Sequence, residues 1–246
     1  MKVYALTISI FSIITFVLCR AEELTLPVTT CKRNSNYSTC LKIALEEAWP
    51  RFVKGLPEFD FPSLEPFAYK YGKLVFNRNG MYGEGIMTNC TASGLASVDF
   101  LDVRTHFLDD MFHLKLDALI PKILSYTYFN GEVNLSGMRV SGTGQFNLTV
   151  NEIKITCHIT GHVKNDTWTV EHFRILSAII KKAKIHLWDF FDGNKELNNI
   201  LEDFLNEYWP SIYRVVAPAM FELLDPTLTD ISNRLFSKTS FSKVFP

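Results

Sequence analysis

The sequence predicts an α+β protein: one short helix, then a long antiparallel meander, then a single very long C-terminal helix. Three observations carry this. From Lys73 to about Leu187, polar and apolar residues alternate in short runs broken by Gly, Asn and Asp. From Asn194 onward the apolar period lengthens to three and four residues, over roughly forty positions. Between Ser38 and Gly55 the same helical period appears once, briefly.

In chain order, Lys2 precedes an almost unbroken apolar run from Val3 to Cys19. Its core, Ala5 to Leu18, has the length of a secretory h-region, and Cys19-Arg20-Ala21 offers small residues at the −3 and −1 positions of a cut after Ala21. A membrane anchor is the rival reading, but a span needs about 20 apolar residues, and Thr7, Ser9, Ser12 and Thr15 interrupt this run. Residues 1–21 are therefore expected to be a signal peptide and 22–246 a single domain. Losing Lys2 and Arg20 moves the net charge from −1 to −3.

Ser38 or Thr39 can cap the first helix, whose apolar positions are Leu41, Ala44, Leu45, Ala48 and Phe52. Pro50 should kink or shorten it, and Gly55 and Pro57 should stop it. Pro57 to Pro66 reads as extended chain. The meander should hold six to eight strands with one wet and one apolar face. Phe146, Leu148 and Val150 share one parity, and Ile153, Ile155, Cys157 and Ile159 the other, so a bulge or bend is expected near Asn151-Glu152. The last helix should be capped by Asn194, carry an apolar stripe from Leu197 to Leu223, break at Pro218 and Pro226, and end near Phe236. A helix of that length needs a sheet of similar length wrapped over it.

Composition excludes several functions. Lys and Arg total 25 against 26 for Asp and Glu, which argues against a nucleic-acid partner. Nucleophile-elbow, dinucleotide, phosphate-loop, zincin and EF-hand patterns are missing, so neither catalysis nor a cofactor is expected. His158 and His162 read as ordinary strand histidines, and Asp109-Asp110, Asp99 and Asp102 as solvated loop charges. The Lys181-Lys182-Lys184 cluster reads as a solvated edge. The aromatic load stands out: 20 Phe, 9 Tyr and 4 Trp, enough for a large apolar interior with room for a guest.

In a secreted chain, Cys31, Cys40, Cys90 and Cys157 remain after the leader is removed, an even count that points to disulfides. Cys31–Cys40 is the local pair, and Cys90 with Cys157 is what remains. Glycan acceptors are expected at Asn36, Asn134, Asn147 and Asn165, with Asn89 weakened by Cys90 inside its triplet.

Several stretches resemble the insect juvenile hormone-binding protein and takeout family. They are the Cys31–Cys40 pair leading to Lys54-Gly55-Leu56-Pro57-Glu58, then Gly142-Thr143-Gly144-Gln145-Phe146-Asn147-Leu148-Thr149. Further on come Phe191-Asp192-Gly193-Asn194-Lys195-Glu196-Leu197, Phe204-Leu205-Asn206-Glu207-Tyr208-Trp209-Pro210 and Phe236-Ser237-Lys238-Thr239. The resemblance implies a long helix wrapped in a curved antiparallel sheet of the tubular lipid-binding type. It also implies a secreted carrier of one small hydrophobic ligand, such as a terpenoid hormone or a fatty acid, in an internal tunnel. The family spans hormone carriers and members linked to circadian output, feeding and chemosensation. Where the family often has a tunnel tyrosine this chain has Phe129, flanked by Tyr126 and Tyr128, which puts juvenile hormone itself in doubt.

The expected ligand-binding residues are Leu201, Leu205, Tyr208, Ile212 and Val216 on the long helix, Phe129, Phe146, Leu148 and Val150 on the sheet, and Phe52 and Val53 closing one end. A membrane-acting or lipid-transfer role on the same fold is the alternative; stable membrane insertion is not expected.

Overall fold

The computed structural model describes residues 25–246 apart from 79 and 136, so the expected leader lies outside the described residues. Helix α1 spans Tyr37–Lys54. Six strands follow: β1 Phe67–Arg78, β2 Met81–Ser93, β3 Asp99–Leu108, β4 Met111–Leu135, β5 Met138–Lys164 and β6 Thr167–Trp188. The long helix α2 spans Lys195–Phe236, and a last turn, α3, covers Phe241–Val244.

The strands form one antiparallel sheet in the order β1-β2-β4-β5-β6, with β3 paired to β4. Strand β4 is long enough to serve two partners. Its Met111–Leu119 half pairs with β3 and its Leu124–Leu135 half with β2. The expected bend is present: Val150 and Ile153 both point inward, and Glu152 between them turns left-handed at φ 51°. Their partners on β4, Ile123 and Ile120, change parity at the same place without a slip of register.

Several local expectations are corrected. Neither Ser38 nor Thr39 caps α1: Asn36 stands at the N-cap position, and the Ser38 hydroxyl is hydrogen-bonded to Asp102 and to the Val103 carbonyl, which pins the helix to β3. Helix α1 runs through Pro50 and stops at Gly55, φ 87°. Pro57–Phe59 is a 3-10 turn rather than extended chain, because Leu56 and Phe61 bridge across it. The sheet begins at Phe67, earlier than Lys73.

Helix α2 does not break at Pro218 or Pro226, and it also contains Pro210. Each proline removes one helical amide. Spanning them is a row of α2 side chains bonded to the outer edge of β6 and to Phe190 just beyond it. Asn233 accepts from the Val170 amide and donates to its carbonyl, both at 2.8 Å. Asp225 and Thr229 accept from the Phe173 amide. The Tyr213 hydroxyl donates to the Ala178 carbonyl. Asn206 bonds both backbone groups of Ile185, Glu202 accepts from Leu187, and Asn198 accepts from Phe190. Every proline thus has an anchor on both sides. The same row satisfies an edge strand that would otherwise offer unpaired backbone groups to other chains. The expected Asn194 cap is present, accepting from the Leu197 amide at 3.1 Å.

Cys31–Cys40 is bonded, but Cys90 and Cys157 are free, contrary to the expectation for the second pair. Cys157 sits opposite Leu116 of β4, whereas Cys90 lies beside the β4 stretch that carries Tyr126 to Tyr128. At about 3.3 Å per residue those levels are roughly 35 Å apart along one strand, and a disulfide needs its Cα atoms within about 7 Å. Burial pushes the Cys157 thiol up to about 12, so it is an inert part of the sheet.

The end of the tube beside α1 is filled. Phe112, Trp168, Phe241 and Phe245 interlock at ring separations of 4.8 to 5.9 Å, over Cys31, Leu41, Val103 and Ile159. A second cluster joins Ala48, Phe52, Leu56, Phe59 and Phe61 to Leu235 of α2.

Candidate ligand-binding site

Past the bend, the same sheet and helix pack differently. The inward positions, read from the register, include Leu74 and Phe76 of β1, Met87 of β2, Thr127 and Phe129 of β4, Phe146 and Leu148 of β5, and Ile185 and Leu187 of β6. Glycines stand among them to seat rings. A Cβ on Gly85 would meet the Phe129 ring at 2.3 Å, one on Gly83 the Phe76 ring at 2.3 Å, and one on Gly144 the Phe190 ring at 2.7 Å. Phe129 in turn lies between Phe146 at 6.4 Å and Phe190 at 6.2 Å.

Phe129, Phe146 and Leu148 share the inward face of the sheet, and they and Leu201, Leu205, Ile212 and Val216 of α2 are all half-buried. Half-buried apolar residues in this region contrast with the fully buried rings at the α1 end. Val150 is fully buried at the bend with Ile120 and Ile153. Phe52 and Val53 are buried at the α1 end, Phe52 within its solid cluster, and so they stand apart from the other sites.

Tyr208 is 48% exposed, its ring tilted against Phe204 at 5.0 Å, and belongs to an apolar strip with Leu197 (45%) and Ile200 (59%) that the sheet leaves uncovered. The oblique course of the strands explains this. Phe190 lies over Gly144, whose cross-strand level runs through Phe129 and Met87 to Gly72. Phe190 meets α2 at Asn198, but Gly72 meets it at Leu223, roughly 37 Å further along the helix. The first turns of α2 therefore have β6 on one side and open space where β1 would be.

Two surface concavities lie elsewhere. One of about 360 Å³ is lined by Arg33, Tyr37 and Phe107 near the disulfide. The other, of about 470 Å³, lies beside the irregular β2–β4 pairing, lined by Thr88, Asn89, Tyr126, Thr127, Tyr128 and Gln145. None of the sequence-expected binding residues lines either. Tyr126 and Tyr128 are exposed on the convex face, so they cannot replace the hydroxyl that Phe129 lacks. Of the glycan acceptors, Asn36, Asn134 and Asn165 are exposed, whereas Asn147 is half-buried with its Oδ1 enclosed.

Sequence reasoning missed Leu74, Phe76, Met87, Thr127, Ile185, Leu187 and Phe190 as lining residues. The alternations Gly72, Leu74, Phe76 and Gly83, Gly85, Met87 were the available signal. Among the described residues no cluster of His, Cys, Asp and Glu could hold a metal, and no helix is long and apolar enough to cross a membrane.

A curled antiparallel sheet closed by one long helix is the tubular lipid-binding class of fold. The crystal structure of Epiphyas postvittana Takeout 1 shares it: TM-score 0.70 at 18% identity, over 89% of this chain and 99% of that one. The chain belongs to the haemolymph juvenile hormone binding protein (JHBP) family, whose model matches residues 10–246. Among curated relatives, the Drosophila melanogaster circadian clock-controlled protein daywake is 22% identical over 249 residues, 95% of this chain and 94% of daywake. The Drosophila yakuba daywake is 22% identical over 232 residues, 89% of this chain and 87% of that protein.

Proposed function

We propose that this protein is a secreted, non-enzymatic carrier of one small hydrophobic ligand, held between α2 and the sheet beyond the bend. The observation that carries this is the half-buried set Phe129, Phe146, Leu148, Leu201, Leu205, Ile212 and Val216 on the concave side. Family membership supports it. Removing ligand surface from water supplies the affinity: about 300 Å² of apolar area is worth roughly 7 kcal/mol at about 25 cal/mol per Å², before the costs of association. The setting we propose is an extracellular fluid such as haemolymph, in juvenile hormone signalling, circadian output, feeding or chemosensation.

Native mass spectrometry of the protein secreted from insect cells tests the reading. A one-to-one complex with an apolar molecule that organic extraction removes is the expected result. A protein that emerges empty, and afterwards takes up neither a terpenoid ester nor a neutral fluorescent probe, would sink it.

A further inference from the structure

Three polar side chains from neighbouring strands meet inside this otherwise apolar interior. Tyr69 of β1 pairs with Cys90 of β2, and the Cys90 thiol is hydrogen-bonded to the Thr127 hydroxyl of β4. Thr127 is buried. A Cβ on Gly72 would meet the Tyr69 ring edge at 2.7 Å, its hydroxyl at 2.9 Å and the Leu223 methyl of α2 at 3.0 Å. The Tyr69 hydroxyl and the Leu223 methyl of α2 therefore border the same space in front of Gly72. The Tyr213 hydroxyl, by contrast, is engaged on the Ala178 carbonyl at 2.6 Å. Burial raises both the Tyr69 phenol and the Cys90 thiol, so at neutral pH each remains an uncharged hydrogen-bonding group.

Positive charge is kept out of the same interior. Among the described residues every Lys and Arg is exposed except two, which are half-buried. Lys42 is paired with Glu46 on α1, and Lys115 stands across from His158 before the bend. The charged groups that α2 turns toward β6 are acidic. Glu202 is bonded to Leu187 and His186, and Asp225 to Phe173 and His172. A carboxylate taken into an apolar site without a cation loses its hydration uncompensated, and enters as the neutral acid instead.

From this we infer that the cargo is an uncharged amphiphile with one oxygen function, an alcohol, ester or ketone, anchored at Tyr69 and Thr127, and that ionised fatty acids are excluded. The inference rests on the carrier reading and narrows it. For a simple carboxylic acid with a pKa near 4.3, binding only as the neutral form weakens apparent affinity about tenfold per pH unit above that value, so roughly a thousandfold at pH 7.5.

Displacement of the neutral fluorophore N-phenyl-1-naphthylamine by decan-1-ol and by decanoate, at pH 7.5 and pH 5.0, tests it. Decanol should displace the probe at least thirtyfold more effectively than decanoate at pH 7.5, with the gap closing toward pH 5.0. Tyr69→Phe and Thr127→Val should each weaken decanol about two- to tenfold more than they weaken the probe. Decanoate matching decanol at pH 7.5 overturns the inference and leaves the carrier standing. Failure of the probe and both ligands to bind overturns both.

Discussion

The two ends of the tube are built from the same sheet and the same helix, yet the rings of one are fully buried and those of the other only half-buried. Before the bend, Phe112 and Trp168 are each about 1% exposed, with α1, α3 and the Cys31–Cys40 segment packed over them. Beyond it, the inward Phe129 and Phe146 of the sheet stay half-buried, as does Leu205 of α2, and no described helix caps that end. Both ends are rich in rings, so composition does not separate them. What differs is whether a second element covers the rings. The covered end stabilises the fold, and the uncovered end keeps partly exposed apolar surface, which is where the proposed ligand would sit.

This contrast is sharpest in stability. Trp168→Ala should cost about 3–5 kcal/mol, as truncations of fully packed aromatics do. Phe146→Ala should cost about 1 kcal/mol, because its ring has less packing to lose. Urea unfolding of the two variants measures both, and equal losses would erase the distinction. Replacing Cys31 and Cys40 together by Ser should cost about 2–3 kcal/mol, from the loop-closure entropy of a short bridge. That change should speed amide exchange in α1 and β3 and leave β1 and β2 unchanged.

The smallest effect expected is pH-dependent and belongs to the seam between β6 and α2. Burial alone would raise the Asp225 carboxyl, but bonds from the Phe173 amide, Thr229 and His172 outweigh it and hold the group below the usual range. A carboxyl depressed in the folded state adds stability above its unfolded pKa of about 3.9, and loses it as pH falls through the folded value. Asp225→Asn should therefore be less stable than the wild type at pH 7, with the difference shrinking below about pH 4. Melting temperatures of the two proteins from pH 7 to pH 2 give the comparison, and a constant offset would show that Asp225 does not titrate with folding.

Local signals along the chain carry the outline. Asn194 reads as a cap because its amide sits before an apolar period, and the Val150 to Ile153 parity change reads as a bend because a strand face can switch only there. What failed to read were features set by distant partners. Pro218 and Pro226 look like breaks until β6 is seen bonded to Tyr213, Asp225 and Thr229. Cys90 and Cys157 look like a pair until strand order places them far apart. Tyr208 shares the apolar stripe of Leu201 and Ile212, and no periodicity reveals that the sheet ends before reaching it. Tyr69 and Thr127 carried no signal, since a hydroxyl in an alternating strand looks the same on either face.

The anchors along β6 also allow an arc to be set against its chord. From Val170 to Ala178 the strand covers roughly 26 Å, and the matching helix stretch, Asn233 to Tyr213, roughly 30 Å, so the two run side by side. From Ala178 to Ile185 the strand uses roughly 23 Å, while the helix between Tyr213 and Asn206 advances only about 10 Å. Pinned at both points, that surplus length has to leave the line of the rod, as slack in a rope bows outward between two nails. The slack begins where the close-packed half stops.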